Sequence, residues 1–194
     1  MDYSQFLIMR GEISLLLVFL LIFLFDTFGG KKSLKGLSIT ACVLFALHTV
    51  WNIIPVDSAT AFGGMYQTSP IASMVKTVLN IGTLIVLLQS ISWSDTPDVK
   101  LRRGEFYELL LVTLFGMYLM VSSGHFLLFF IGLETASLPM AALIAINKKD
   151  TESYEAGAKY LFTAVFSSAV FLLGLSFLYG VSGSLYFGDI AGAI

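Results

Sequence analysis

Glu134 sits near the middle of an apolar stretch, residues 124–145, that reads GHFLLFFIGLETASLPMAALIA. Residues 125–133 before it and 135–147 after it carry no Asp, Glu, Lys or Arg. A hydrocarbon core about 30 Å thick takes roughly 20 helical residues, so this carboxylate reaches neither interface. An ionisable group there costs roughly 2.5–3.5 kcal/mol on insertion scales unless it is neutral, paired or hydrated. The chemistry it suits is proton relay, because its protonation switches when a nearby ammonium or water moves. The plainer alternative is a carboxylic acid that stays neutral and only joins two helices by hydrogen bonds. Pro139 removes the N–H that the Thr135 carbonyl would accept from, and its ring favours a kink. Ser137 lies one turn from Glu134 on the same face, and Gly132 with Ala136 forms a small-xxx-small pair for close helix packing.

Other charged residues fall inside apolar stretches. Lys159, in YEAGAKYLF, stands about one turn inside the sixth stretch, where it can snorkel or serve the same relay. Its α-carbon and that of Glu134 differ in depth by roughly 10 Å at 1.5 Å per residue, so coupling would pass through water. Lys76 lies six residues beyond Pro70, suited either to an outer proton path or to snorkelling. Glu105 and Glu108 stand three residues apart at the start of the fourth stretch. Glu108 can collect protons there, or can be a solvated first-turn carboxylate favoured by the helix dipole. Glu12 and Asp26 mark the ends of the first stretch, near enough to the interfaces to snorkel. His125 is nine residues before Glu134 and so about 180° around the helix, which rules out a pair within one helix. His48 reads as a packing histidine that needs one donor and one acceptor partner.

The elements that must position these groups are apolar helices. Hydrophobic residues make up 57% of the 194 and charged residues 12%, and mean hydropathy is +0.86, far from soluble composition. The fold class is an all-α integral membrane protein with six transmembrane helices, at about residues 13–28, 37–54, 70–93, 105–122, 124–146 and 155–181. They form a single membrane domain, with residues 182–194 as an outside tail that reads as an interrupted chain. Lys31, Lys32, Lys35, Lys100, Arg102, Arg103, Lys148 and Lys149 all fall in odd-to-even connections, which puts those loops in the cytoplasm and the N-terminus outside. Trp51, Trp93, Tyr107, Tyr154 and Tyr179 fall at span boundaries as an aromatic belt. The first stretch lacks a small-residue cleavage site and is kept as a helix. Residues 122–124 alone join the fourth and fifth spans, making them tight antiparallel neighbours. The one cysteine, Cys42, gives no disulfide framework and no thiolate set for a cluster or zinc. No glycine-rich nucleotide fingerprint follows a strand, and nothing suggests nucleic acid.

Residues 105–145, EFYELLLVTLFGMYLMVSSGHFLLFFIGLETASLPMAALIA, followed by residues 154–187, YEAGAKYLFTAVFSSAVFLLGLSFLYGVSGSLYF, resemble the proton-translocating, antiporter-like membrane subunits of respiratory complex I. The L-E-x-x-SLP around Glu134 is similar to the subunit N type more than to the M and L types. The first hundred residues fit more loosely, with FGGMY at residues 62–66 and Lys76 as recognisable points. The resemblance implies an antiporter-like bundle of inverted repeats with about fourteen spans, of which this chain holds an N-terminal portion. It implies that Glu134 pairs with a lysine in a seventh span, beyond this sequence, with a lysine in an eighth span continuing the path. Lys159 matches the family's sixth-span lysine.

The resemblance further implies a non-redox subunit of a proton-translocating NADH:quinone oxidoreductase, without a catalytic site or bound cofactor of its own. NADH, FMN, iron–sulfur clusters and quinone are expected only in partner subunits. The expected surroundings are the lipid bilayer of the cell inner membrane, other membrane subunits and the missing C-terminal half. Two other readings compete. One is a subunit of a multisubunit cation/proton antiporter or membrane-bound hydrogenase; the other is a structural bundle that conducts nothing.

Overall fold

The computed structural model describes residues 4–28, 30–94, 96 and 102–193. Lys100, and the side chains of Lys31, Lys32 and Lys35 invoked above for topology, lie outside what is described. The chain is mostly helical. A short α1 (Ser4–Ile8) leads into α2 (Arg10–Phe28) and α3 (Gly30–Asn52). A small hairpin follows, β1 (Ala59–Ala61) and β2 (Tyr66–Thr68), joined through a 3-10 turn at Phe62–Gly64. Then come α4 (Pro70–Trp93), α5 (Arg103–Val121), α6 (Phe126–Ile144), α7 (Thr151–Ser182) and α8 (Phe187–Ala193). Among the described residues, α2, α4, α5, α6 and α7 are long and apolar enough to cross a membrane, and residues 36–52 of α3 form a shorter apolar helix. Within the segment read as an outside tail, residues 187–193 form α8, with Ser184 Oγ donating to Asp189 Oδ2 at 2.5 Å.

Local chemistry sets the helix ends. Ser69 caps α4 by accepting from the Ala72 amide at 3.1 Å, with Pro70 at the first helical position. Asp150 caps α7 through the Glu152 amide at 3.0 Å, and Gly183, at φ 66°, closes its far end in the left-handed region. α6 runs on without interruption through Pro139.

α5 is the hub, packed on α6, α2, α4 and α3. Its Tyr107, Leu111, Leu114 and Tyr118 recur at helical spacing and are buried against Leu15, Val18 and Ile22 of α2, Ala41 and Phe45 of α3 and Leu87 of α4. Gly116 and Gly132 let α5 and α6 touch backbone to backbone: a Cβ on Gly116 would lie 2.4 Å from the Ala136 amide nitrogen and 2.6 Å from the Gly132 carbonyl oxygen. The small-residue pair read from the sequence is therefore a packing face. α7 packs on α6 at Gly157, against Ala145 and Ala141, and leaves Phe162, Phe166, Phe177 and Val181 widely exposed. Such apolar exposure is what helices facing lipid or further protein present.

Three connections meet at one end of the bundle. The Gln67 amide donates to the Ser122 carbonyl at 2.7 Å, and the Gly124 amide to the Met65 carbonyl at 2.8 Å. The Phe126 amide donates to the Leu185 carbonyl at 3.0 Å, so the hairpin, the α5–α6 turn and the α7–α8 link are stitched together. At the opposite end Arg103 is 1% exposed and donates to the last-turn Ser94 carbonyl through Nε at 3.2 Å and Nη2 at 2.9 Å, a cation at a helix C-terminus.

Candidate functional site

The best-defined group of ionisable side chains lies at the hairpin end. α2 brings in Glu12, α4 Lys76 and Asn80, α5 Tyr118, α3 His48 and Asn52, and the hairpin Tyr66. The alternation of β2 aims Tyr66 and Thr68 inward while Gln67 stays exposed. Lys76 Nζ pairs with Glu12 Oε1 at 2.5 Å, with Glu12 1% and Lys76 8% exposed. Tyr66 donates its hydroxyl to Glu12 Oε2 at 2.8 Å and receives a third contact from Lys76 Nζ at 3.3 Å. The ammonium also stands 5.1 Å from the Tyr118 ring centre and 5.5 Å from that of Tyr66, within cation–π range. Burial, together with the adjacent Glu12 carboxylate, pushes the Tyr66 phenol up, so it remains a neutral donor.

A neutral chain of hydrogen bonds adjoins the pair. Tyr118 donates to Asn80 Oδ1 at 2.6 Å, which leaves His48 Nε2, 3.3 Å away, as the donor to the Tyr118 oxygen. His48 Nδ1 then accepts, with Asn52 Nδ2 at 3.2 Å and Ser14 Oγ at 3.0 Å. His48 thus has the one donor and one acceptor role expected of it. The tautomer follows from the partners around the ring.

Glu12 corrects the sequence reading. Placed there at the interface, it is instead buried inside the bundle, because the hairpin folds Tyr66 over it and α4 supplies a counter-charge 64 residues away. No local pattern announces such a partner. Lys76, left open between a path residue and a snorkelling one, points into the bundle at Glu12 rather than outward.

Glu134 lies on α6 between the side that packs on α7 and an outward stripe of Leu127, Ile131 and Leu138. Its Oε1 is buried and has no hydrogen-bond partner. Ser137 Oγ reaches only the Glu134 carbonyl, at 3.4 Å, and with Leu133, Tyr160, Ser167, Ser168 and Phe171 it lines a cavity of about 410 Å³ between α6 and α7. Ser168 Oγ is likewise buried without a partner. Lys159 is 74% exposed on α7 and pairs with Glu155 one turn back, so the structure does not bring it to Glu134. Glu108 is half-buried at the other end of α5, within electrostatic range of Asp26 and Glu105. His125 caps α6 by accepting from the Leu127 amide at 3.1 Å, its ring edge-on to Tyr186 at 4.6 Å. Among the described residues no group of three or more His, Cys, Asp or Glu is placed to hold a metal.

Residues 123–194 match the family described as NADH:quinone oxidoreductase/Mrp antiporter, TM. Over 98% of its length the chain is 48% identical to NADH-quinone oxidoreductase subunit N of Phocaeicola vulgatus and 42% identical to the same subunit of Azobacteroides pseudotrichonymphae. This chain matches an N-terminal portion of the subunit N type. It spans 40% of the length of each of those two relatives. The fold agrees. A chain of respiratory complex I from Thermus thermophilus superposes with TM-score 0.72 at 24% identity, covering 92% of this chain and 38% of that one. A chain of an archaeal membrane-bound sulfane sulfur reductase superposes at 0.67 and 19% identity, covering 95% and 39%. Both superpositions show the same arrangement of helices as this chain, and the antiporter description comes from the family match over residues 123–194.

Proposed function

We propose that the chain is part of a membrane subunit that moves protons in an NADH–quinone oxidoreductase, with Glu134 as its intramembrane relay carboxylate. The observation that carries this is the unpartnered Glu134 Oε1, held mid-helix beside the outward stripe of α6. A buried carboxylate oxygen without a donor is costly, and a mobile cation or water that visits it relieves that cost. The resemblance supplies such a cation as a lysine of a seventh span. Lys76 is a second relay residue in this reading, and Glu108, on the same helix as Tyr118, is placed to collect protons at the opposite end. Lys159, exposed on α7, acts from outside the bundle through whatever packs there.

The subunit works in the inner membrane with its N-terminus outside, among other membrane subunits, and the redox cofactors belong to those partners. A cation/proton antiporter or hydrogenase subunit shares these helices. Exchange that depends on sodium and proceeds without NADH oxidation would favour that second reading.

The test is Glu134→Gln in the assembled complex, reading protons translocated and NADH oxidised together. The carboxamide keeps the shape and cannot ionise, so the expected result is loss of this unit's share of translocation while quinone reduction continues. An unchanged ratio of protons to NADH would remove Glu134 from the relay.

A further inference from the structure

The Glu12–Lys76 pair sits beside open space. A cavity of about 20 Å³ is lined by Glu12, Lys76, Tyr66, Arg10, Asn52 and Ser73, among others. That is room for one water, which needs about 10–15 Å³ and two or more polar partners. Arg10 stands at its rim with Nη2 donating to the Ile54 carbonyl and Nε buried without a partner. Beyond Tyr118, whose ring the ammonium faces and whose hydroxyl donates to Asn80 Oδ1, Asn80 is fully buried and its Nδ2 also lacks a partner. A closed structural ion pair is surrounded by satisfied groups. This one has unspent donors among its neighbours and a water-sized space against its carboxylate.

We infer that Glu12 and Lys76 form a second proton-exchange site, independent of Glu134 and reached through the cavity beneath the hairpin. A proton on cavity water passes to Glu12 Oε1, which leaves neutral water and a carboxylic acid and strips Lys76 of its counter-ion. The uncompensated ammonium releases one proton to water and becomes a neutral amine. The carboxylic acid then gives its proton to that amine, restoring carboxylate and ammonium. One proton has been exchanged through the pair, with no net change in it.

The charged and titratable groups that face the pair are Arg10 on its own helix, Tyr66 from the hairpin, Tyr118 from α5 and, through Tyr118, His48 from α3. His48 has both ring nitrogens engaged, with Asn52 and Tyr118, and acts as a fixed dipole rather than a carrier. The Tyr66 phenol, pushed up by burial and by Glu12, stays protonated and holds the carboxylate form of Glu12.

The inference rests on the translocation reading above, and the experiment separates the two. Protons translocated per NADH oxidised are measured in the assembled complex, in sealed vesicles, for the wild type, for Glu134→Gln, and for the double variant Glu12→Gln, Lys76→Met, which removes both charges together. The expected result is a lowered ratio in the double variant as well as in Glu134→Gln. A wild-type ratio in the double variant beside a lowered one in Glu134→Gln would make the pair structural and overturn this site alone. Wild-type ratios in both would overturn the translocation reading and this site with it.

Tyr66→Phe decides the matter if the double variant does not assemble. It keeps the ion pair and removes one hydrogen-bond donor from the carboxylate, so the expected result is an assembled complex with an altered ratio of protons to NADH. A wild-type ratio would overturn the site.

Discussion

Replacing Lys76 alone by methionine should strongly lower the melting temperature of the protein and its yield in the membrane. The side chain is buried to 8% exposure against a carboxylate that is 1% exposed, and methionine retains its bulk while removing the charge. Glu12 would then be a buried carboxylate with Tyr66 as its one remaining hydrogen-bond donor. Removing one member of a buried pair costs about 3–5 kcal/mol, a large share of the roughly 5–15 kcal/mol that keeps a domain folded. The measurement is the amount of the chain recovered in the membrane fraction and its melting temperature in detergent. Adding Glu12→Gln to Lys76→Met should restore most of both, because the orphaned charge is gone. A single variant as stable as the wild type would mean that Glu12 does not depend on Lys76 for its place in the bundle.

Gly116→Leu should separate α5 from α6. Even a Cβ at this position meets backbone rather than a side chain that can swing aside, 2.4 Å from the Ala136 nitrogen and 2.7 Å from the Thr135 carbonyl carbon. The two helices must move apart over the segment that flanks Glu134, and overpacking of this kind costs about 1–3 kcal/mol or more. Close approach of small residues is the main source of helix affinity in lipid, so the loss is not offset elsewhere. The control is Gly174→Ala on α7, where a Cβ has nothing within 4 Å and the substitution should be neutral or slightly stabilising. Equal melting temperatures for Gly116→Leu and the wild type would show that the α5–α6 crossing is loose.

The parts of this molecule legible in its sequence are those set by local physics. Long apolar runs announced α2, α4, α5, α6 and α7, and the three residues between the fourth and fifth runs announced that α5 and α6 pack side by side. Gly132 and Ala136 told where they touch. Glu134 was visible because a carboxylate in mid-membrane is costly whatever surrounds it. Glu12 was hidden for the opposite reason. It stands in the first turn of α2, where a carboxylate is ordinary, and its burial depends on Lys76 far along the chain and on Tyr66 from a hairpin with three-residue strands. That hairpin carries too few alternating residues to stand out from a loop. Lys159 shows the limit from the other side: helical spacing offered it as a snorkelling or relay residue, and α7, docked on α6 at Gly157, leaves it exposed beside Glu155.

Service of this chain in a proton-translocating NADH–quinone oxidoreductase can be checked by isolating it from its native membrane through an affinity tag and assaying that same fraction for NADH–quinone reductase activity. The activity should stay with the tagged chain through purification. A pure, well-folded chain that carries none of that activity, drawn from membranes that contain it, would show that the chain serves another complex.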